Sequence, residues 1–226
     1  MTHCAIAIDG PSGAGKSTLA KAAAKELGFL YVDTGAIYRT VGLAALRRDL
    51  SPSDETAVSA MLPELVITAG YGPDGLQHMY LQGEDVTEAI RQHAVSDAAS
   101  RVSAIPAVRD YLLEMQRRFA AEHDVVMDGR DIGTVVLPDA QVKIFLTAAP
   151  EARARRRYDE LLARGQEADF ETILADVKAR DHRDTHRAAA PLRQAPDAVL
   201  LDTTQLDLEG SLARLLSIIK EQLPHE

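Results

Sequence analysis

The 226-residue chain has no tryptophan, a single cysteine and only 4% aromatic residues. It also has no apolar run approaching the ~18 residues that a membrane-spanning helix needs, so no membrane partner is expected. Cys4 cannot close an internal disulfide, and no Cys/His spacing matches a structural zinc site; a reducing compartment fits. Residues 1–10 lack the basic start and long apolar stretch of a secretory signal, and the cytoplasm is the expected location. Positive charge is short as well. Lys and Arg number 25 against 34 Asp and Glu, a net charge of -9 at pH 7. That balance opposes a broad nucleic-acid footprint, and the scarcity of aromatics removes the stacking platforms that single strands use. Any phosphate chemistry has to be local.

What is present is an ordinary globular composition, 46% hydrophobic and 26% charged. At roughly 150 residues per domain, the length suggests one domain with an elaboration. The first apolar run, Cys4 to Ile8, breaks at Asp9-Gly10-Pro11-Ser12-Gly13 and is followed by Leu19, Ala20, Ala23, Ala24 and Leu27 at helical spacing. Strand, loop and helix are predicted in that order, and Cys4 reads as a small buried strand residue. Phe29 to Val32 is a second strand running into Asp33-Thr34-Gly35, with helix again over Ile37 to Arg48. Val125 to Met127, Val142 to Leu146 and Val199 to Leu201 are short and branched, as in a buried parallel sheet of five strands. Helices over Ala107–Ala121, Glu151–Ala163, Phe170–Arg180 and Leu208–Leu223 should cover both faces. Between Leu65 and about Ala99 the rhythm changes. Leu65 to Thr68 and His78 to Leu81 flank Gly70-Tyr71-Gly72-Pro73-Asp74-Gly75, a strand-turn-strand pattern that looks inserted. Asp85 to Arg91 then reads as a helix start with Thr87 as its cap.

Gly10-Pro11-Ser12-Gly13-Ala14-Gly15-Lys16-Ser17 fits the phosphate-loop pattern G-x-x-x-x-G-K-[ST], after a strand and before a helix, as the motif requires. The glycines let backbone N–H groups turn inward around phosphate oxygens, and the helix N-terminus adds a favourable dipole. Lys16 can reach the β and γ phosphates of a nucleotide, and Ser17 offers a hydroxyl to Mg²⁺, while Thr18 reads as a helix-start residue. No N-K-x-D guanine-reading run is present, so ATP is the expected donor. Asp128, at the end of a strand, either supports the metal through water or merely caps a turn; the sequence leaves both open.

The chain closely resembles the bacterial cytidylate kinase family, a member of the nucleoside monophosphate kinase group. The resemblance spans nearly the whole length. It is carried by the segment Ile8 to Ser17, by Asp33-Thr34-Gly35-Ala36-Ile37-Tyr38-Arg39, by Gly83-Glu84-Asp85-Val86-Thr87, by Asp128-Gly129-Arg130-Asp131-Ile132-Gly133-Thr134 and by Arg180-Asp181-His182-Arg183-Asp184. It implies an α/β, three-layer P-loop kinase core with a five-stranded parallel sheet, an inserted small monophosphate-binding region and a helical lid. The core is expected over residues 1–64 and 100–226, the lid over about 150–168 and the insertion over 65–99. The implied activity is transfer of the γ-phosphate of ATP to CMP or dCMP with Mg²⁺, by a monomer. Thr34 stands where serine is also found in this family, keeping the hydroxyl but adding a methyl. Some members carry glycine after the loop lysine, where this chain has Ser17.

By the same resemblance, Arg39, Arg130 and Arg187 gather around the acceptor phosphate, where planar guanidinium groups pair with oxygens. Ser100, Arg109 and Asp131 face the cytosine, while Arg180 and Asp184 bind the ribose. Thr34 belongs to the acceptor set, and Lys16, Arg130, Arg153 and Arg157 to the catalytic one. Each has a plainer reading from the residues alone: surface ion pairs for the arginines, a buried Asp131–Arg109 pair, a helix-face serine at Ser100. The run Arg153, Arg155, Arg156, Arg157 suits a mobile lid over ATP phosphates, a solvated helix face or, less well, a nucleic-acid patch. His182 and His186 lie four apart, a ligand-compatible spacing without the adjacent glutamate of H-E-x-x-H. Against the kinase reading stand a P-loop kinase for another small acceptor such as UMP, a non-catalytic ATP-binding regulatory module and an RNA-binding protein.

Overall fold

The computed structural model describes residues 3–72 and 75–223. Along the chain run β1 (Ala5–Asp9), α1 (Lys16–Leu27), β2 (Leu30–Asp33), α2 (Thr34–Arg47), α3 (Glu55–Met61), β3 (Ile67–Tyr71), β4 (Gln77–Leu81) and β5 (Glu84–Asp85). They are followed by α4 (His93–Val102), α5 (Pro106–Glu122), β6 (Val125–Gly129), β7 (Val142–Thr147), α6 (Pro150–Ala163), α7 (Phe170–His186), β8 (Val199–Asp202) and α8 (Leu208–Gln222). Two compact units result, one of Met1–Leu30 with Asp124–Glu226 and one of Tyr31–His123.

The expected α/β sheet has five strands in the order β2-β6-β1-β7-β8, of which β1, β6, β7 and β8 belong to the first unit. The pairings of β1 with β6, of β1 with β7 and of β7 with β8 are parallel. Every residue of β1 and β6 is buried, which in a parallel sheet means that both faces are covered. Helices α1 and α8 pack on each other, and their apolar faces, Leu19, Ala20 and Ala23 on one and Leu215, Ile218 and Ile219 on the other, are buried. Asp9 lies in register with Gly129, so the carboxyl ends of the two central strands β1 and β6 open side by side. In parallel sheets that edge is where ligands are held, because loops and helix N-termini converge there.

The second unit has its own core. Ile37 and Val41 of α2, Val58 of α3, Met79 and Leu81 of β4, Val95 and Ala99 of α4 and Val108 and Leu112 of α5 form one buried cluster. Strands β3, β4 and β5 form an antiparallel three-stranded sheet. The strand-turn-strand expectation is met by β3 and β4; Pro73 and Asp74 of the turn lie outside the described residues. The unit is wider than the 65–99 segment marked by the change of sequence rhythm, because α2, α3 and α5 share its core.

Three local expectations are corrected. No helix begins at Asp85: residues 84–85 are strand, a single 3-10 turn follows at Ala89–Arg91, and α4 starts only at His93. The Thr87 hydroxyl that reads as a cap instead accepts from Met79 N–H at 3.0 Å, and tertiary pairing with β4 takes over from the local signal. Cys4 precedes β1 and is half-buried rather than buried in the strand. Burial and the nearby Asp124 carboxylate push its thiol above the ordinary value. Helix α7 continues past Arg180 to His186, placing Arg180 and Asp184 on one helical face.

Candidate functional site

The phosphate loop follows from β1 directly. At Gly10 the backbone has φ +151°, and a Cβ there would lie 1.9 Å from the Leu146 carbonyl oxygen of β7, so only glycine lets the chain leave the sheet here. Asp33, Asp54, Asp169 and Asp207 each accept a backbone N–H at the start of α2, α3, α7 and α8. Helix α1, like α4, α5 and α6, has no side-chain cap; its N-cap is Gly15, and no acidic residue stands in its first turn. Its N-terminal donors are left to an external anion, and the helix dipole favours one there. Lys16 is buried, and its ammonium donates to the Pro11 carbonyl at 2.8 Å, bridging the loop. Burial, and then the Arg130 guanidinium, drive the lysine below its ordinary value, while Asp128, Asp9 and Asp184 pull the other way.

The Ser17 hydroxyl donates to Asp128 Oδ2 at 2.9 Å, so the Asp128 carboxylate turns toward the loop. One hydroxyl and one buried carboxylate are hard oxygen donors in a sparse set. That suits Mg²⁺, which keeps several waters and takes phosphate oxygens, rather than a cation needing a full protein cage. No cluster of three or more His, Cys, Asp or Glu poised for a metal occurs among the described residues. The rings of His182 and His186 stack on each other at 4.0 Å, and His186 Nδ1 lies 2.9 Å from the Thr185 hydroxyl.

A second cluster in the same unit gathers five of the residues expected at the acceptor. Arg130 Nε donates to Asp184 Oδ2 at 2.9 Å, and Arg187 Nη2 stands 3.6 Å from Asp131 Oδ1, with both side chains of the latter pair almost wholly buried. Arg187 also donates from Nε to the Ala190 carbonyl at 2.8 Å. Burial raises the Asp184 carboxyl, but the positive charges of Arg130, Arg180 and Arg187 outweigh it and hold the group below the usual carboxylate range. Asp184 is therefore ionised near neutrality.

In the second unit, Arg39 Nη2 donates to Asp33 Oδ2 at 2.7 Å, and Asp33 Oδ1 caps α2 at Ala36 N–H. Gln77 of β4 accepts from Asp33 N–H at 2.8 Å and so ties the small sheet to the start of α2. The roles of Asp33 and Gln77 escaped the sequence, which separates them by 44 residues; the only local signal was a capping residue before a helix. Arg109 is buried, donates to the Ser103 carbonyl at 3.1 Å and lies over the Tyr38 ring at 5.5 Å. Thr34, the first residue of α2, is buried. Ser100 Oγ is buried with no hydrogen-bond partner among the described residues, as is Arg39 Nε. Buried orphan donors of this kind fit groups that a ligand completes.

The arginine run divides. Arg153 is buried and donates to the Ala148 and Ser12 carbonyls and to both oxygens of Asp181, locking α6 to α7 and to the phosphate loop. Arg155 lies over the Phe170 ring at 4.5 Å, and Arg156 donates to the Thr203 carbonyl at 2.6 Å. Arg157 is exposed and pairs with Glu160 at 2.9 Å. Arg153 and Arg156 are engaged within the fold and Arg155 and Arg157 are exposed, so the run does not present four free cations on one face, which argues against a continuous nucleic-acid patch.

The family model described as cytidylate kinase matches residues 6–221. The chain is 52% identical over 214 residues to a cytidylate kinase of Carboxydothermus hydrogenoformans, covering 95% of this chain and 96% of that one. It is 50% identical to that of Desulfitobacterium hafniense, with 96% and 93% covered, and 48% identical to that of Caldicellulosiruptor bescii over the full length of both. The chain belongs to the cytidylate kinase family.

Proposed function

We propose that this member of the cytidylate kinase family transfers the γ-phosphate of ATP to CMP and dCMP, giving ADP with CDP or dCDP. One observation carries the reading: Asp9 and Gly129 stand in register on neighbouring strands, so the phosphate loop that starts at Gly10 and the guanidinium cluster that starts at Arg130 leave the sheet side by side within one unit. An ATP-binding regulatory module would leave those guanidinium groups without a ligand.

Residues Gly10 to Thr18 hold the triphosphate. Lys16 sits against the β and γ phosphates, with Arg153 bracing the loop at Ser12 and Arg157 supplying further charge from α6 as a lid residue. The Ser17 hydroxyl and, through water, Asp128 would hold Mg²⁺, which would supply charge neutralisation at the phosphates. Arg39, Arg130 and Arg187 take the CMP phosphate in paired hydrogen bonds. Arg180 and the ionised Asp184 take the ribose hydroxyls. Ser100, Arg109 and Asp131 read the base, with Thr34 in the same acceptor set. A carboxylate at Asp131 accepts from the cytosine N4 amino group and repels the O4 acceptor of uracil.

Transfer is an in-line displacement in which a CMP phosphate oxygen attacks γ-phosphorus and ADP leaves. No strong base is needed, since that oxygen is already largely anionic near pH 7, and rate comes from alignment and charge stabilisation. No helix among the described residues is long and apolar enough to cross a membrane. We place the enzyme in the cytoplasm as a monomer, without a nucleic-acid partner. The reading is tested by coupled ADP release with ATP, Mg²⁺ and CMP, dCMP, UMP, AMP and shikimate in parallel. CMP and dCMP should lead; turnover greatest with any other acceptor would refute the assignment.

A further inference from the structure

Asp9 has no part in the transfer described above, yet it is a fully buried carboxylate at the last position of β1, one residue before the phosphate loop. Its Oδ1 accepts from Ile132 N–H at 2.7 Å and its Oδ2 from Gly133 N–H at 2.8 Å. Those donors open the single helical turn Ile132–Val136 that follows Arg130 and Asp131, a turn with no side-chain cap of its own. At a helix start such N–H groups are orphans, and here a residue 123 positions away satisfies them. Glycine at 133 suits the close packing, because a Cβ there would stand 3.4 Å from Asp9 Oδ2 and 3.2 Å from Lys143 Cδ. The charges that face Asp9 oppose one another: Lys16 favours its ionised form, Asp131 disfavours it.

We propose that Asp9 is a positioning residue for the acceptor: by holding the backbone at Ile132 and Gly133 it fixes where Arg130 and Asp131 stand, and so couples the base of the donor loop to CMP affinity. The inference rests on the reading that Arg130 and Asp131 bind CMP. Asp9→Asn preserves shape but sets an amide N–H against one of the two backbone N–H groups, so one of the two bonds is lost.

Steady-state kinetics of the full chain with Asp9→Asn, and with Arg130→Lys in parallel, decide the matter. The expected result is a KM for CMP raised about tenfold in Asp9→Asn, with the KM for ATP held within about twofold. Equal rises in both KM values, or a lowered Tm with both unchanged, would overturn the positioning role. An Arg130→Lys variant with an unaltered KM for CMP would instead overturn the reading beneath it. Amide hydrogen exchange on the unsubstituted protein gives the answer should Asp9→Asn fail to fold. Ile132 and Gly133 are expected to be protected and to slow further with CMP but not with ATP alone; unprotected amides would contradict the proposal.

Discussion

Lys16 carries most of the account at the scale of single residues. Its ammonium is buried and flanked by Arg130, so in the free protein it is a destabilised charge that an anionic ligand relieves. Lys16→Met should therefore lower turnover with ATP and CMP by roughly 100- to 1,000-fold, as loss of a preorganised charge does, while circular dichroism and Tm show the fold intact. Near-normal turnover would count against the site. Asp131→Asn should act on choice rather than rate. An amide offers uracil a donor where the carboxylate offered repulsion, so the CMP to UMP ratio of kcat/KM should fall by about 1–3 kcal/mol of discrimination, read in a paired acceptor assay.

Asp9 gives a pH prediction. Burial raises its carboxyl from 3.8 to about 6, against the two N–H bonds that lower it. Between those values the native carboxyl holds a proton that the unfolded chain has lost. Its contribution to stability is thus greatest below the unfolded value and is lost as pH rises to about 6, by roughly 3 kcal/mol in all. Asp184 works in the opposite sense, with a lowered native value, so the effect is isolated by difference. Urea midpoints of the native protein and of Asp9→Asn, compared from pH 4 to 7, should diverge across that window, and parallel curves would show that Asp9 does not titrate as described.

Among the secondary elements, α2 and α4 pack most tightly at Gly42. A Cβ there would come within 2.9 Å of Ala99 N and 3.2 Å of the Ala98 carbonyl carbon, so the two helix backbones touch. Gly42→Ala gains up to about 1 kcal/mol of helix propensity but forces the helices apart, which costs about 1–3 kcal/mol. A net loss is expected in urea denaturation; a gain would show that the pair has slack.

What the sequence made legible at this scale depended on whether the deciding residues were near each other. Gly10 to Ser17 could be read because motif, strand and helix are contiguous, and the five core strands stood out as short branched runs. Thr87 misled because its capping pattern is local, whereas its hydroxyl belongs to Met79 across the hairpin. Helix α3 went unread, although Asp54 caps it, because seven residues carry too little periodicity to register. The tether from Asp9 to Ile132 and Gly133 joins backbone groups 123 and 124 positions away, and no side-chain pattern announces such a bond.

For the whole molecule, the chain forms two compact units, and the second is larger than the break in rhythm at Leu65 implied. Nothing in the sequence marks Val58, Val108 and Leu112 as core partners of Met79 and Leu81; packing brings them into one cluster. Family resemblance named the acceptor residues, and the structure shows how four of them are held: Arg39 by Asp33, Arg109 by Ser103 and Tyr38, Arg130 by Asp184 and Arg187 beside Asp131. The proposed activity is direct phosphate transfer between two nucleotides. A single-turnover reaction with ATP radiolabelled at the γ-phosphate, excess enzyme and CMP tests it by locating the label. The label is expected in CDP; label found instead in inorganic phosphate or on the protein would refute direct transfer.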